Sequence, residues 1–248
     1  MDKQTIKEKA KALETRFDLL NLLNEVKADL LGSTAYPFTM KKLLIFCNPK
    51  NDGEKKQERY RSFSIPKKSG GERTISAPCG NLKWMQLCIN EIFQALYSPS
   101  PYAMGFAEGR SIVDNARMHT NQNYVFNIDL KDFFPSIDIK RVWNRLQRAP
   151  FNFNAKVAYT IAGLCTMRTI HYREDLPFEE AFVLPQGAPT SPLLTNAICD
   201  TLDRRLHGLA KRFGLHYSRY ADDITFSSMH NVYQPDGDFR KELERIIT

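Results

Sequence analysis

The sequence lacks the features of a secreted, disulfide-stabilised or membrane-spanning protein. Its five cysteines are scattered, contain no C-x-x-C pair and are odd in number, which argues against a disulfide framework. The five histidines show no metal-ligand spacing with these cysteines, so a zinc site is not expected. No apolar run is long enough to cross a bilayer, and the N-terminus has no apolar signal-peptide core. We therefore expect a cytoplasmic protein with reduced thiols and no membrane partner.

Length and charge limit the fold and the class of partner. The 248 residues, 42% of them hydrophobic, suffice for one substantial core or for two lobes that share one. The formal net charge of +7 favours a polyanionic partner. Many basic proteins bind no nucleic acid specifically, so the position of the charges matters more than their sum.

Hydrophobic spacing predicts several helices. One amphipathic helix, with Phe17 on its apolar stripe, is expected over residues 3–31, and another over residues 82–97. Residues 140–180 are expected to be mainly helical. A long helix should begin after Thr190 or Ser191 as its N-cap and end before Gly214, because glycine commonly closes a helix.

A basic hairpin is predicted over residues 60–78. Two short β-like runs flank the sequence KKSGGE, which contains a Gly-Gly turn. Lys67, Lys68 and Arg73 lie in this turn, and further basic residues lie just upstream, among them Lys55 and Lys56. Such a hairpin either covers phosphate groups or is a solvated loop, and charge and turn chemistry alone do not decide between the two.

Two strand-like stretches end in carboxylates. The sequence YVFNIDLKDFFPSI predicts a strand that ends in Asp129 and Asp132, and SRYADDITFSS places Asp222 and Asp223 side by side among β-formers. Adjacent acids are common in surface turns, which is the alternative interpretation. The flanks of this pair, however, are β-like and aromatic, and the pair lacks the Gly or Asn usual in a tight hairpin. If the two strands are neighbours in one antiparallel sheet, carboxylates from both meet at one edge.

Three carboxylates that lie close together need a positive counter-charge. Hard divalent cations with oxygen ligands supply it, and Mg²⁺ fits best because it keeps positions for water and substrate phosphate. Two such ions about 3.5–4 Å apart stabilise both the attacking and the leaving oxygen of a phosphoryl transfer. The pattern therefore predicts a site for two Mg²⁺ ions, with Mn²⁺ as the alternative, at Asp129, Asp222 and Asp223.

Four motifs, in order along the chain, resemble those of reverse transcriptases. They are IPKKSGGERTISAP, NIDLKDFFPSI, LPQGAPTSPLLTN and YADD, and the resemblance spans roughly residues 55–230. It implies an α+β fold with the fingers and palm of a right-hand polymerase, in which an antiparallel palm sheet packs on helices. The fingers, with the N-terminal helix, are expected over 1–124 and the palm over 125–248, with a helical fingers insertion around 140–180.

A fifth motif resembles the retron subgroup of bacterial reverse transcriptases. Asn115 and His119 belong to an N-A-x-x-H pattern that retron enzymes carry between fingers and palm, where group II intron enzymes usually differ. His119 is expected either to be structural or to touch RNA. The resemblance implies an RNA-directed DNA polymerase that copies a structured RNA template and primer into DNA from dNTPs. The retron subgroup is closely related to the phage-defence reverse transcriptases of bacteria.

The resemblance also assigns the acids and an aromatic residue. Asp129 and Asp222 are expected to be the principal metal ligands, and Asp223 completes the catalytic triad. Phe134 stands where the family places a steric gate that stacks under the sugar and excludes a 2′-hydroxyl. Core packing is the competing interpretation for Phe134, because Phe133 stands beside it.

Further residues resemble the family's nucleotide-binding groups. Lys67 and Arg73 correspond to fingers residues that grip the triphosphate, and Lys68 is the alternative to Lys67. Gln186 resembles the residue that contacts the incoming nucleotide and the nearby template. Gly187 is expected to allow close approach of the backbone.

Two matters stay open at the level of sequence. Family members normally continue into a palm segment with a lysine, a primer grip and a helical thumb, and none of these fits after Ser228, so we expect a chain truncated before the thumb. Activity of this piece alone is therefore not implied. The alternatives are a group II intron-like or phage-defence reverse transcriptase, and a non-catalytic RNA-binding protein on a polymerase scaffold. An RNA-dependent RNA polymerase is disfavoured by Phe134 and by the fingers motifs.

Overall fold

The computed structural model describes residues 1–51, 58–67, 70–171 and 179–247. The chain separates into two compact units, each of which we describe by itself. Unit 1 comprises Met1–Tyr97 and Phe134–Leu194, and unit 2 comprises Ser98–Phe133 and Thr195–Thr248. These units are interleaved along the chain, whereas the predicted subdomains are mainly consecutive. The fingers and palm assignments stay a prediction.

The elements of the described residues are mostly short helices with three small antiparallel sheets. In chain order they are α1 (Lys3–Lys11), α2 (Arg16–Leu31), α3 (Met40–Phe46), β1 (Tyr60–Pro66), β2 (Glu72–Pro78), α4 (Gly80–Leu96), α5 (Ile112–Arg117), β3 (Tyr124–Asp129), α6 (Ile139–Leu146), α7 (Ala155–Cys165), β4 (Met167–His171), β5 (Glu179–Val183), α8 (Ser191–Arg212), β6 (His216–Tyr220), β7 (Asp223–Ser228) and α9 (Asp238–Ile247). Within these described residues, no helix has both the length and the apolar character needed to cross a membrane.

The single helix predicted over residues 3–31 is in fact two helices, α1 and α2. Thr15 starts α2 with a capping box: its hydroxyl accepts a hydrogen bond from the Asp18 N–H at 3.2 Å, and the Asp18 carboxylate accepts one from the Thr15 N–H at 2.8 Å. This reciprocal cap begins a new helix although the apolar spacing continues. Phe17 then lies in the first turn of α2 and is 65% exposed, so the apolar stripe predicted for a single helix does not bury this side chain.

The helical prediction over residues 140–180 was right for α6 and α7 and wrong at Met167–His171 and at the start of β5, and residues 172–178 of the predicted range lie outside the described residues. There β4 and β5 form an antiparallel pair in which Met167 lies opposite Val183. The β-branched residues Thr169 and Ile170 favour the extended backbone, which explains why the helix does not continue.

The core of unit 1 is built around α4, which packs against α1, α2 and α7. Its apolar stripe is buried as the spacing predicted: Met85, Cys88, Ile89, Ile92, Phe93 and Leu96. The ring of Phe93 meets Phe151 edge to face at 5.2 Å between centroids. The hairpin β1–β2, also predicted, follows an antiparallel register in which Tyr60 lies opposite Pro78.

Unit 2 contains a three-stranded antiparallel sheet in the order β3-β7-β6. One face of the sheet packs with α8 and α9 in a buried cluster: Leu206, Leu209, Ala210, Tyr217, Ile224, Phe226, Phe239 and Leu243. Helix α8 begins directly after Thr190, and Gly214 follows its end with a φ of +68°, as the predicted caps require. An α+β fold with an antiparallel sheet packed on helices is therefore confirmed.

Candidate catalytic site

Register in unit 2 brings the predicted acids together at one end of the sheet. In the antiparallel pair β3–β7, Asp129 lies directly opposite Asp223. Asp222 lies in the turn between β6 and β7, and its backbone carbonyl accepts a hydrogen bond from the Leu130 N–H at 3.1 Å. The expected pairing of the two strands is thus observed, whereas the catalytic roles of the acids stay a prediction.

The turn that carries Asp222 is strained. Tyr220 pairs with Asp223, so only Ala221 and Asp222 connect β6 to β7. Ala221 has a φ of +58°, in the left-handed region that usually takes glycine and that costs other residues roughly 1–2 kcal/mol. Because the turn sequence does not favour this backbone by itself, the surroundings must stabilise it.

The backbone just after Tyr102 lies along β6 and reaches the turn. The Arg219 N–H donates to the Tyr102 carbonyl at 2.9 Å, and the Met104 N–H donates to the Arg219 carbonyl at 2.7 Å. A Cβ on Gly105 would lie 2.6 Å from the Ala221 nitrogen, closer than atoms in contact can approach. Only glycine therefore fits at position 105.

A buried ion pair also contacts the turn. Nε and Nη2 of Arg219 donate to the two carboxylate oxygens of Asp203 at 2.7 and 2.8 Å, and both side chains are 0% exposed. Nη1 of Arg219 donates to the Ala221 carbonyl at 2.9 Å. Nη2 also donates to Oδ1 of Asn196 at 3.1 Å, and Nδ2 of Asn196 donates to the Gly105 carbonyl at 2.9 Å.

Arg219 keeps its positive charge although it is fully buried. Burial by itself lowers the pKa of Arg219, but the hydrogen bonds and the negative charge of Asp203 raise it above its ordinary value. The guanidinium therefore remains a donor at every physiological pH. Its bidentate bond to Asp203 is the strongest kind of side-chain pairing, because both partners are charged and their geometries match.

Sequence reasoning assigned no role to the four residues of this network: Gly105, Asn196, Asp203 and Arg219. A signal for one of them existed, since Asp203 falls on the buried stripe of α8, three residues before Leu206 and four after Cys199. A carboxylate on an otherwise apolar stripe of a helix indicates a buried partner, because an isolated charge there would be costly.

The N-A-x-x-H motif attaches its own segment to the sheet. Nε2 of His119 lies 2.7 Å from the Ser218 hydroxyl, and Nδ1 lies 2.7 Å from the Ser227 hydroxyl. Ser218 itself donates to Oδ1 of Asn115 at 2.6 Å, so its hydroxyl proton is used and it must accept from His119. In a neutral ring, Nδ1 then accepts from Ser227, and the tautomer is the one with the proton on Nε2.

The environment of His119 agrees with a neutral ring. Burial, and next the charge of His216, lower the pKa of His119 from 6.5 to about 4. Since both ring nitrogens bond to serines of the sheet, the structure favours the structural role over RNA contact.

The carboxylates of Asp129, Asp222 and Asp223 repel one another, and this repulsion indicates whether a bound cation would suit them. Burial, followed by the negative charges of Asp222 and Asp129, raises the pKa of Asp223. A hard divalent cation relieves such repulsion, and carboxylate oxygens are the ligands that Mg²⁺ prefers. The chemistry of these three carboxylates therefore fits a divalent cation such as Mg²⁺. Across the described ranges, no three His, Cys, Asp or Glu side chains form a ready-made metal cluster.

Two predicted triphosphate-binding residues lie on the β1–β2 hairpin of unit 1. The Lys67 N–H donates to the Gly71 carbonyl at 3.0 Å and closes the hairpin tip. Both Lys67 and Arg73 are exposed. Outside the described residues lie three lysines of the predicted basic cluster: Lys55, Lys56 and Lys68.

The Pro-Gln-Gly loop packs against β2. The Ser76 N–H donates to the Gln186 carbonyl at 2.7 Å. A Cβ on Gly187 would lie 2.7 Å from Cγ2 of Ile75 and 3.2 Å from the Ser76 carbonyl oxygen. The predicted close backbone approach at Gly187 is thus made to β2.

The two neighbouring phenylalanines differ in burial. Phe133 is only 6% exposed, whereas Phe134 is half-buried. Core packing therefore describes Phe133, and the surface left at Phe134 is compatible with the predicted steric gate.

Comparison with known proteins gives a family and several relatives. Residues 65–236 match the family model described as reverse transcriptase (RNA-dependent DNA polymerase). Over 195 residues the chain is 40% identical to the retron Mx65 reverse transcriptase of Myxococcus xanthus, which covers 75% of this chain and 42% of that protein. It is 41% identical over 176 residues to the retron Mx162 reverse transcriptase of the same organism, covering 68% and 35%.

A third relative comes from another bacterium. The chain is 36% identical over 172 residues to the retron Ec86 reverse transcriptase of Escherichia coli, which covers 68% of this chain and 49% of that protein. The chain thus spans less than half the length of each of these three relatives. The resemblance to retron enzymes expected from the sequence motifs is confirmed.

Proposed function

This chain belongs to the reverse transcriptase family, and we propose that it carries the catalytic acids of a retron-type RNA-directed DNA polymerase. The observation that carries the proposal is the register of β3 and β7, which sets Asp129 opposite Asp223 beside the turn that holds Asp222. The identity of 36–41% to three retron enzymes supports the retron subgroup. Because the chain spans under half of each relative, the activity of the whole protein is part of the proposal.

The three carboxylates would hold divalent metal ions. Polymerases of this family generally use such ions, and we propose Mg²⁺, with Mn²⁺ as a substitute. Bound there, the metal would lower the pKa of the attacking primer hydroxyl and neutralise charge on the triphosphate. The chain itself contributes orientation. The strand register sets Asp129 against Asp223, and the bond from Leu130 fixes the carbonyl of Asp222.

The residues of unit 1 would bind the nucleotide. Exposed Lys67 and Arg73 are available to a triphosphate, and a guanidinium can donate two parallel hydrogen bonds to phosphate oxygens. Half-buried Phe134 would lie against the sugar and select deoxyribose, and Gln186 would contact the base or the template. The substrates would then be dNTPs and a structured RNA template with its primer, and the product would be DNA. The net charge of +7 suits such polyanions.

The test is dNTP incorporation with Mg²⁺ on a primed RNA template. We would compare three proteins. They are this chain, the longest natural form of the protein, and that longest form carrying both Asp222→Asn and Asp223→Asn. Asp236→Asn is the matched control, because Asp236 is an exposed acid in a turn of the same unit. We expect incorporation by the longer form and its control, and background signal from the double variant.

A negative result would have a definite meaning. If the longer form incorporates no dNTP even when its own non-coding RNA is supplied, the catalytic proposal is wrong. Binding of that RNA without any dependence on Mg²⁺ would then favour the non-catalytic RNA-binding scaffold.

A further inference from the structure

We propose that Arg219 is a positioning residue for the acid turn. Its guanidinium, oriented by Asp203 and Asn196, holds the Ala221 carbonyl and thereby sets the backbone of Asp222. The catalytic consequence rests on the proposed function, whereas the positioning itself is a property of unit 2 and can be measured without polymerase activity.

The first step concerns the two peptide groups that flank Asp222. A peptide unit is planar, so fixing the Ala221 carbonyl also fixes the direction of the Asp222 N–H. Arg219 makes that bond at 2.9 Å. On the other side, the Asp222 carbonyl accepts from the Leu130 N–H at 3.1 Å. The backbone of Asp222 is therefore fixed on both sides, once by β3 and once by Arg219.

The second step is that the turn needs such support. Ala221 lies at a φ of +58°, which an alanine adopts only at a cost. If the bond from Arg219 is removed, Ala221 can rotate about its N–Cα bond towards the negative φ that an alanine prefers, and the peptide between Ala221 and Asp222 turns with it. That rotation would carry the Asp222 side chain away from the end of β3, where Asp129 lies.

The third step is that the guanidinium cannot turn. Arg219 makes four hydrogen bonds within the plane of its fork: two to Asp203, one to Asn196 and one to Ala221. A lysine ammonium is a single point of charge and cannot reach acceptors spread in this way. Asn196 extends the network to the Gly105 carbonyl, so the segment beside the turn is held by the same group.

The fourth step separates positioning from stability. Replacing a buried ion pair by apolar side chains of similar size is often neutral or stabilising, so the fold alone does not require this pair. What apolar side chains cannot supply is a donor to the Ala221 carbonyl. Loss of the pair should therefore impair the acids more than the fold.

The experiment uses the longest natural form of the protein with three changes. Arg219→Lys keeps the charge and loses the fork. The double variant Arg219→Met with Asp203→Leu removes both charges together. It provides the test if the lysine variant does not fold. Tyr217→Phe is the matched control, because the buried Tyr217 hydroxyl also donates to Asp203, at 2.8 Å, but its ring makes no bond to the turn. Thermal midpoints are recorded for all variants.

Two readouts follow each variant: kcat and KM for dNTP incorporation, and Mn²⁺ affinity measured by electron paramagnetic resonance without nucleotide. For both Arg219 changes we expect kcat and Mn²⁺ affinity to fall about 10- to 100-fold, as for other residues that orient metal ligands, with KM for dNTP unchanged. Tyr217→Phe should lower the thermal midpoint but leave kcat and Mn²⁺ affinity as they were. Equal effects of Tyr217→Phe and the Arg219 changes, or no loss of kcat and Mn²⁺ affinity, would overturn the proposal.

A third readout distinguishes this inference from the proposed function. Hydrogen exchange of the peptide that covers residues 218–224 reports on the turn even if the unsubstituted protein incorporates no dNTP. Faster exchange in the Arg219 variants than in Tyr217→Phe supports positioning in that case. Equal exchange in the Arg219 variants and in Tyr217→Phe would overturn the positioning proposal, whatever the outcome for catalysis.

Discussion

The hairpins β6–β7 and β1–β2 each carry residues of the proposed site, but they present them in opposite ways. In β6, Tyr217, Ser218 and Arg219 are all buried, and their side chains bond to α8, to Asn115 or to the turn itself. In β1, every residue after Tyr60 is exposed, and β2 is exposed over its first three residues.

The difference follows from the task proposed for each hairpin. Acids that repel one another hold a useful geometry only if the backbone beneath them is fixed in advance, since preorganised groups need no rearrangement during the reaction. Side chains that bind a triphosphate from solution must instead be accessible, and exposed charges cost the fold little. A rigid hairpin for the acids and an accessible one for the nucleotide are what these requirements predict.

The largest effect is expected at the aromatic pair beyond β3. Phe134→Val should raise kcat/KM for ribonucleotides relative to deoxyribonucleotides by about 10- to 200-fold, the range over which an apolar pocket discriminates. Phe133→Val, in the buried neighbour, should lower the thermal midpoint and leave sugar selectivity unchanged. Competition between labelled rNTP and dNTP measures the ratio. If Phe133→Val changes sugar selectivity and Phe134→Val does not, the steric gate is Phe133.

A smaller effect is expected on the accessible hairpin. Arg73→Gln should raise KM for dNTP about tenfold or more, because a hydrogen bond to a charged group is worth about 1.5–3 kcal/mol. The thermal midpoint should hardly move, since the side chain is exposed. Lys83→Gln removes one exposed positive charge elsewhere in unit 1 and should leave KM alone. If both variants change KM equally, the effect is one of net charge.

In the segment beside the β6–β7 turn, a single methyl group should be enough to destabilise the protein. Gly105→Ala places a Cβ 2.6 Å from the Ala221 backbone, which cannot yield as a side chain can, and should destabilise the protein by about 1–3 kcal/mol. Gly208→Ala is the matched change on α8, where nothing lies within 4 Å, and should stabilise it by about 0.5–1 kcal/mol. Denaturant titration of both variants decides whether the approach at Gly105 is as close as described.

The last prediction concerns pH. Because burial depresses the pKa of His119 to about 4, the folded protein keeps this ring neutral while the unfolded chain protonates it below about 6.5. Its contribution to stability is complete above pH 6.5 and is lost as the pH falls towards 4. His119→Gln should flatten this part of the stability curve, whereas His230→Gln, at an exposed position, should not. Thermal midpoints at successive pH values provide the measurement.

Local signals predicted much of the fold. The apolar stripe of α4, the turn of β1–β2 and the glycine after α8 depend on spacing within a few residues, and all three were found. The errors arose where two local signals competed. Apolar spacing continues through the capping box at Thr15, and it continues past Cys165 into residues that favour strands.

By itself the sequence determined the family and predicted the chemistry of the site. It supplied two adjacent acids in a strand-forming segment, a third at the end of another strand, and motifs in the order of a reverse transcriptase. Only the tertiary structure decided the register that sets Asp129 opposite Asp223 and the buried network that joins Arg219, Asp203 and Asn196 to the turn. The reason is the distance along the chain: sequence periodicity reports contacts a few residues apart, whereas Asn196 and Gly105 are 91 positions apart and form their hydrogen bond only when the chain folds.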